Sequence, residues 1–254
     1  MSRLAANESA RARLLFSCLP ALRSGWLSQS ELRAQTTVEE LRQRHLASHT
    51  EIATIDYGAV SNDANRSSEE MAKGHHTVER LSDICRKRSN EIEEATLLLK
   101  LVRYLRPVRC LELGTCVGIT AAYIGLALKL NGGGDLVSVE GCPSLARIAA
   151  ENMRQLGLEN VSVRAGRFQD VLPELLAEMT FDFAWLDGHH DYDATLRYFE
   201  QIASYGAEDT AIVTDDIGWS SGMEAAWASI QQSPKVTACA TIGGFGLCFT
   251  SPRL

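Results

Sequence analysis

Two short stretches of the chain put chemically able groups at the ends of apolar runs. In "LELGTCVGIT" (111–120), Glu112 stands two residues before Gly114, and Gly118 follows four residues later. Glycine permits a tight backbone path and lets a ligand approach with no Cβ in the way. A dinucleotide fingerprint would read GxGxxG, with a pyrophosphate at the helix N-terminus, but Cys116 takes the place of the middle glycine. An acid beside such a turn favours a ligand that lacks a pyrophosphate and carries a cationic or amine-bearing group. Glu140 closes the next apolar run, "DLVSVE" (135–140), where a carboxylate can accept both hydroxyl protons of a ribose.

The second stretch, "DGHHDYD" (187–193), supplies the best proton acceptor. His190 lies three residues after Asp187, and a histidine near its ordinary pKa can act as a general base without strong tuning. The competing reading is a helix-start histidine that only hydrogen-bonds a carboxylate. His189 is the weaker base candidate and a candidate wall of the ligand pocket. Further on, "DDIGWSSGMEAAW" (215–227) offers an acid pair and Trp219, a candidate wall for a second ligand, while Trp227 falls at helical spacing and reads as core. His75 and His76 sit in a polar loop and read as surface, with a metal-site role as the alternative.

These residues need elements to hold them. From residue 108 onward, short apolar runs at 108–113, 135–140, 161–166, 181–187 and 210–216 read as strands. Helical stretches separate them at 118–130, 143–156, 168–178, 191–204 and 221–232. Strand–helix alternation with near-continuous apolar strands predicts a parallel sheet covered on both faces. The segment 235–250 departs from that pattern, with two β-like runs about a Gly-rich turn, and predicts an antiparallel hairpin at the sheet edge. Residues 30–49 and 91–105 show helical spacing, and Pro107 ends the second helix. Between them, 52–70 reads as a β-like run followed by a polar loop. The expected division is a helical extension over 1–90 and a catalytic domain over 91–254.

Composition narrows the partners. A formal net charge of −7 argues against a default electrostatic grip on nucleic acid or an anionic membrane. The basic run "RLSDICRKRSN" (80–90) reads as a solvated helix face. "RARLLFSCLPALR" (11–23) is broken by Ser17 and Pro20, so it reads as an amphipathic helix rather than a leader, and no run approaches the ~20 apolar residues that span a bilayer. Seven scattered cysteines, none in a CxxC pair, fit reduced thiols and a cytoplasmic location.

With these motifs in order, residues 91–254 resemble class I S-adenosylmethionine-dependent methyltransferases. Within that class the chain is similar to the cation-dependent O-methyltransferases of the catechol and caffeoyl-CoA type. It is also similar to a group of bacterial class I methyltransferases carrying segments like "DYGAVS" (56–61) and "DDIGWS" (215–220), from whose patterns Val60 and Gly218 depart. The resemblance implies a Rossmann-like α/β sheet with helices on both faces and a terminal antiparallel hairpin. It implies a donor site of Glu112, Gly114, Thr115, Cys116, Gly118, Thr120, Glu140, Gly141, Phe168, Gln169 and Asp187. It further implies a divalent cation such as Mg²⁺ on Asp187, Asp215 and Asp216, with His190 where those enzymes commonly place a catalytic lysine.

Carboxylates on adjacent strand ends suit such an ion, because neighbouring strands lie ~4.8 Å apart. The competing reading is that the acid pair only caps the following helix. The "DYGAVS" segment could fold over the donor as a lid, or be a structural strand. The expected partner is a small-molecule methyl acceptor, with a homodimer left open. Metal-independent N- or C-methylation, another adenosylmethionine chemistry, a nucleotide-binding oxidoreductase and a non-catalytic scaffold are the alternatives. The missing GxGxxG counts against the oxidoreductase, and the intact acids count against the scaffold.

Overall fold

The computed structural model describes residues 10–59 and 66–251. Val60 and Ser61 of the "DYGAVS" segment lie outside the described residues.

Helix α1 (Ala10–Arg23) leads into α2 (Gln29–Leu46). A capping box starts α2: the Ser28 side chain accepts from the Glu31 N–H, and the Glu31 side chain accepts from the Ser28 N–H. Ala34, Val38, Leu41 and His45 then fall on one buried face of that helix. Strand β1 (Glu51–Asp56) follows, then α3 (Ser68–Lys73), β2 (His75–Arg80) and α4 (Leu81–Arg88). The β-like run is therefore a strand, antiparallel to β2 from Glu51↔Arg80 to Asp56↔His75. His75 and His76 lie on that second strand rather than in a loop, both exposed. Polar strand residues hid this pairing, since alternation needs an apolar partner face to be read. Helix α5 (Ile92–Leu105) stops where Arg106 turns left-handed at φ 50, just before Pro107.

The remaining chain alternates as expected. It runs β3 (Arg109–Leu113), α6 (Ile119–Leu130), β4 (Asp135–Glu140), α7 (Pro143–Gln155), β5 (Val161–Ala165) and α8 (Phe168–Glu178). Then come β6 (Phe183–Leu186), α9 (Tyr192–Tyr205), β7 (Thr210–Thr214), α10 (Ser221–Gln232), β8 (Val236–Ile242) and β9 (Phe245–Thr250). Among the described residues these strands form one seven-stranded sheet in the order β5-β4-β3-β6-β7-β9-β8. The first five are parallel, and β9 inserts antiparallel between β7 and the edge strand β8.

Side-chain alternation along the strands divides the interior into two layers. Cys110, Phe183, Trp185, Ala211 and Val213 pack on the side of α5 and α6. Leu111, Ala184, Leu186 and Ile212 pack on the side of α8 and α9. Val38 and Leu41 of α2 and Ile84 of α4 join the first layer, so residues before 91 share the core. The order reverses about β3, with β4 on one side and β6 on the other. Ligands of such sheets bind at the carboxyl ends of the strands near that reversal.

No helix among the described residues is long and apolar enough to cross a membrane.

Candidate active site

The carboxyl ends of the strands open into a cavity of about 780 Å³. That is within the ~300–1,000 Å³ range of small-molecule sites. Its walls include Gly114, Cys116, Glu140, Gly141, Phe168 and Asp187, all expected for the donor. His189, His190, Asp215, Asp216 and Trp219 line it as well.

Glu140 leaves β4 with both carboxylate oxygens engaged. Oε2 accepts the Cys116 N–H and Oε1 accepts the Cys142 N–H, each at 2.8 Å. Burial raises its pKa, while these two backbone donors pull it back. A carboxylate has about four acceptor positions, so two remain for a ligand's hydroxyls. The glycines also have an internal explanation. A Cβ on Gly114 (φ 112) would sit 1.8 Å from the Asp187 carbonyl oxygen. One on Gly118 (φ 87) would meet the Met153 side chain at 3.0 Å and Ala149 of α7. The protein's own backbone and helix packing pass close to this turn, while Gly114 also lines the cavity.

Beneath the turn lies a buried polar layer. The Ser138 hydroxyl donates to Glu112 Oε2, and the Thr115 and Ser138 hydroxyls share a hydrogen bond. Glu112 Oε1 is buried without a hydrogen bond of good geometry, with the Thr120 hydroxyl beside it. Burial pushes the Glu112 pKa up to about 7. Glu112, Thr115, Gly118, Thr120 and Gln169 thus lie outside the cavity lining, supporting the turn or flanking it.

Phe168 forms the next wall, in edge contact with His189 at 5.5 Å between ring centroids. The Tyr198 hydroxyl and His189 Nδ1 stand 3.2 Å apart. Burial lowers the His189 pKa to about 4, so the ring is neutral and belongs to this aromatic wall.

At the far end, His190 stands between two acids. Its Nε2 is 3.7 Å from Asp187 Oδ1, and its Nδ1 is 3.6 Å from Asp216 Oδ2. The Nδ1 atom is buried without a hydrogen-bond partner. Burial lowers the His190 pKa, while Asp216 and then Asp56 oppose the shift. Burial, reinforced by Asp215 and Asp216, raises the Asp187 pKa well above the ordinary carboxylate range.

One ligand atom from each of Asp187, His190 and Asp216 lies within 4.8 Å of the others. Asp215, expected beside them, is turned elsewhere. It is 4% exposed, its Oδ2 accepts from Asn90 Nδ2 at 2.6 Å, and its Oδ1 accepts the Asp216 N–H at 2.8 Å. Trp219 is 40% exposed, with its ring 6.0 Å from that of His190. Trp227 is buried, and its indole N–H donates to Thr241.

The segment after β1 covers the cavity. Tyr57 lies over Gly141, where a Cβ would come within 2.9 Å of its ring. The Ala59 N–H donates to the His189 carbonyl at 2.7 Å. Arg66 braces the bend, donating to the Asp56 and Gly58 carbonyls and to the Asp56 carboxylate. Arg86 and Lys87 of α4 are exposed as expected, yet with Arg88 they also edge the cavity. Arg66 and Asn90 escaped sequence reading because their partners lie in other elements. Tyr57 was within reach of it, through the lid reading of its segment.

Residues 111–217 match the family model described as a methyltransferase domain. This part of the chain is a methyltransferase domain. The match runs from the β3 turn to the acid pair and so spans the Glu140 and His190 ends of the cavity alike. No curated protein matches the chain in sequence. Among solved structures, the chain is similar to an SAH-bound O-methyltransferase from Bacillus cereus. That match has 23% identity and a TM-score of 0.57, covering 65% of this chain and 84% of that one. A SAM-bound O-methyltransferase from Streptomyces achromogenes, involved in tomaymycin synthesis, has 23% identity and a TM-score of 0.56 over 65% and 82% of the two chains. An SAH-bound Podospora anserina methyltransferase aligns over 98% of this chain and 99% of its own, at 12% identity and a TM-score of 0.60. At these identities the likeness is one of fold.

Proposed function

We propose that the chain transfers a methyl group from S-adenosylmethionine to a hydroxyl of a small molecule, assisted by a divalent cation. The observation that carries this reading is the arrangement of one cavity. Glu140, fixed by two backbone N–H groups, stands at one end, and Asp187, His190 and Asp216 stand at the other. SAH and SAM in the similar structures from Bacillus cereus and Streptomyces achromogenes support the choice of donor.

In this reading Glu140 takes the ribose hydroxyls and Phe168 with His189 walls the adenosine. Glu112 braces the turn from below through the Ser138 hydroxyl. Residues 1–90 act as an extension whose Asp56–Ala59 bend closes the site. The sulfonium supplies its own leaving-group activation, so the protein has chiefly to orient the acceptor and take its proton. The donor set suits a hard cation: two carboxylates and an imidazole converge, and His190 Nδ1, on the Asp216 side, is buried without a hydrogen-bond partner. Asp187 and Asp216 would hold the ion, which when bound favours ionisation of the acceptor hydroxyl. His190, kept neutral by burial, receives the proton, and Trp219 flanks the acceptor. A second reading makes His190 itself a ligand, favoured by the mutual 4.8 Å limit among the three donor groups.

Calorimetry and turnover test the proposal together. Glu140→Ala should weaken S-adenosylmethionine binding by about 1.5–3 kcal/mol, the range for a charged hydrogen bond. Hydroxyl methylation by the parent should stop in EDTA and return with Mg²⁺. Unchanged donor affinity in the variant would overturn the donor assignment, and full turnover in EDTA would remove the cation.

A further inference from the structure

We propose that Asn90 is a positioning residue for the acid pair: through Asp215 it sets the direction in which Asp216 faces His190. The role of that direction in catalysis rests on the function proposed above.

Asn90 lies in the short link between α4 and α5, and its amide reaches across to the end of β7. Asp215 is almost fully buried there, where an unpaired carboxylate would be costly. Its two oxygens have separate tasks. Oδ2 accepts the Asn90 amide at 2.6 Å, a short charge-assisted bond. Oδ1 accepts the N–H of the next residue, Asp216, at 2.8 Å. The carboxylate therefore clamps the peptide between the two acids while Asn90 clamps the carboxylate. With both oxygens held, Asp215 cannot swing toward His190 without breaking one of these bonds.

Asp216 then adopts φ 52, a left-handed conformation that is unfavourable for a residue with a Cβ. Something must hold it there, and the Asp215 clamp is the contact that acts on its own N–H. The Trp219 N–H, donating to the Asp216 carbonyl at 2.9 Å, closes the other side of the turn. So held, Asp216 presents Oδ2 to His190 Nδ1 at 3.6 Å. The strained turn, the buried acid and the remote amide form one device. Asp215 stands outside the converging group of Asp187, His190 and Asp216, and both of its oxygens are engaged, as a positioning role predicts.

The test uses the full chain in four forms: parent, Asn90→Ala, Asp215→Asn and the exchange Asn90→Asp/Asp215→Asn. In the exchange the hydrogen bond persists with its donor reversed. The amide introduced at position 215 donates to the carboxylate introduced at position 90, and its carbonyl still accepts the Asp216 N–H. Crystal structures should show Asp216 leaving the left-handed region in Asn90→Ala and keeping it in the exchange. Mn²⁺ titration should show about a tenfold or larger loss of affinity in each single variant, the usual cost of losing a group that orients a metal ligand. The exchange should recover most of that loss. An Asp216 that keeps its conformation in Asn90→Ala overturns the proposal. So does an exchange that binds Mn²⁺ no better than Asp215→Asn, since that is the behaviour of a direct ligand. If the parent takes up no Mn²⁺, the cation reading falls, and the Asp216 conformation in the Asn90→Ala crystal still decides the role of Asn90.

Discussion

The two ends of the cavity are built on different principles. At the Glu140 end, the key carboxylate leaves an extended strand and is held by backbone N–H groups of Cys116 and Cys142. At the His190 end, His189, His190 and Asp216 all have left-handed backbones, at φ 66, 45 and 52. Asp187 and Asp215 there crowd other acids, and their pKa values rise. The first end is not free of strain, since Cys116, which supplies one of those N–H groups, is itself left-handed at φ 49, but both oxygens of its key carboxylate are hydrogen-bonded. The second concentrates more of both strain and charge repulsion, which persist only because the surrounding fold over-determines them. The lesson is a division of labour of degree: the more relaxed end, with its carboxylate fixed by backbone, can grip a constant ligand, and the more strained end can be poised for reaction.

The largest expected effect comes at the seam between the two ends. Gly114→Ala drives a Cβ into the Asp187 carbonyl, a backbone atom that cannot rotate away. Chemical denaturation should show a loss of about 4 kcal/mol or more, the size reserved for steric failures at special backbone positions. A loss under about 1 kcal/mol, the ordinary cost of a point substitution, would mean that the seam yields and that the two ends are loosely joined.

His190→Ala comes next and acts on the strained end alone. Losing a positioned base typically lowers kcat about 10²–10⁴-fold. S-adenosylmethionine affinity should stay near that of the parent, because the Glu140 end is untouched. The pH–rate profile should lose its histidine limb. A collapse of Mn²⁺ affinity in this variant would move His190 from base to ligand. A kcat within a few-fold of the parent would leave it a helix-start residue.

The smallest effect concerns the floor beneath the relaxed end. The Glu112 pKa is raised to about 7 in the fold, so the folded protein keeps a proton that the unfolded chain releases near 4.5. The stability tied to that proton is present below pH 4.5 and lost as pH rises through about 7. At roughly 1.4 kcal/mol per pKa unit, the loss amounts to at most about 3.5 kcal/mol. Denaturation of the ligand-free parent at mildly acidic and mildly alkaline pH should show this decline, and Glu112→Gln should flatten part of it. Equal pH slopes in the two proteins would mean that the floor is better solvated than its burial implies.

Reading the sequence succeeded where the signal was local. The alternation from residue 108 and the terminal hairpin rest on apolar periodicity, which travels with the chain. Glu140 was legible because it ends a strand, and Trp227 because helical spacing marks core. The β1–β2 pairing was not legible, since its second strand is polar and its partner lies beyond a long connection. Nor were Arg66 and Asn90, whose meaning comes from the Asp56 and Gly58 bend and from Asp215, 125 residues away in the case of Asn90.

The sequence by itself determined the order of strands and helices, and with it which loops gather at one edge of the sheet. Hydrophobic burial on alternate faces leaves few other solutions for such a pattern. Only the tertiary structure decided what those loops do when they meet. It made Gly114 a backbone crossing under Asp187 as well as part of the cavity wall, and it set His190 between Asp187 and Asp216. It also drew Asp215 away to Asn90. Those outcomes depend on sub-ångström clearances and on which donor reaches which oxygen. These are properties of three-dimensional neighbours that no spacing along the chain encodes.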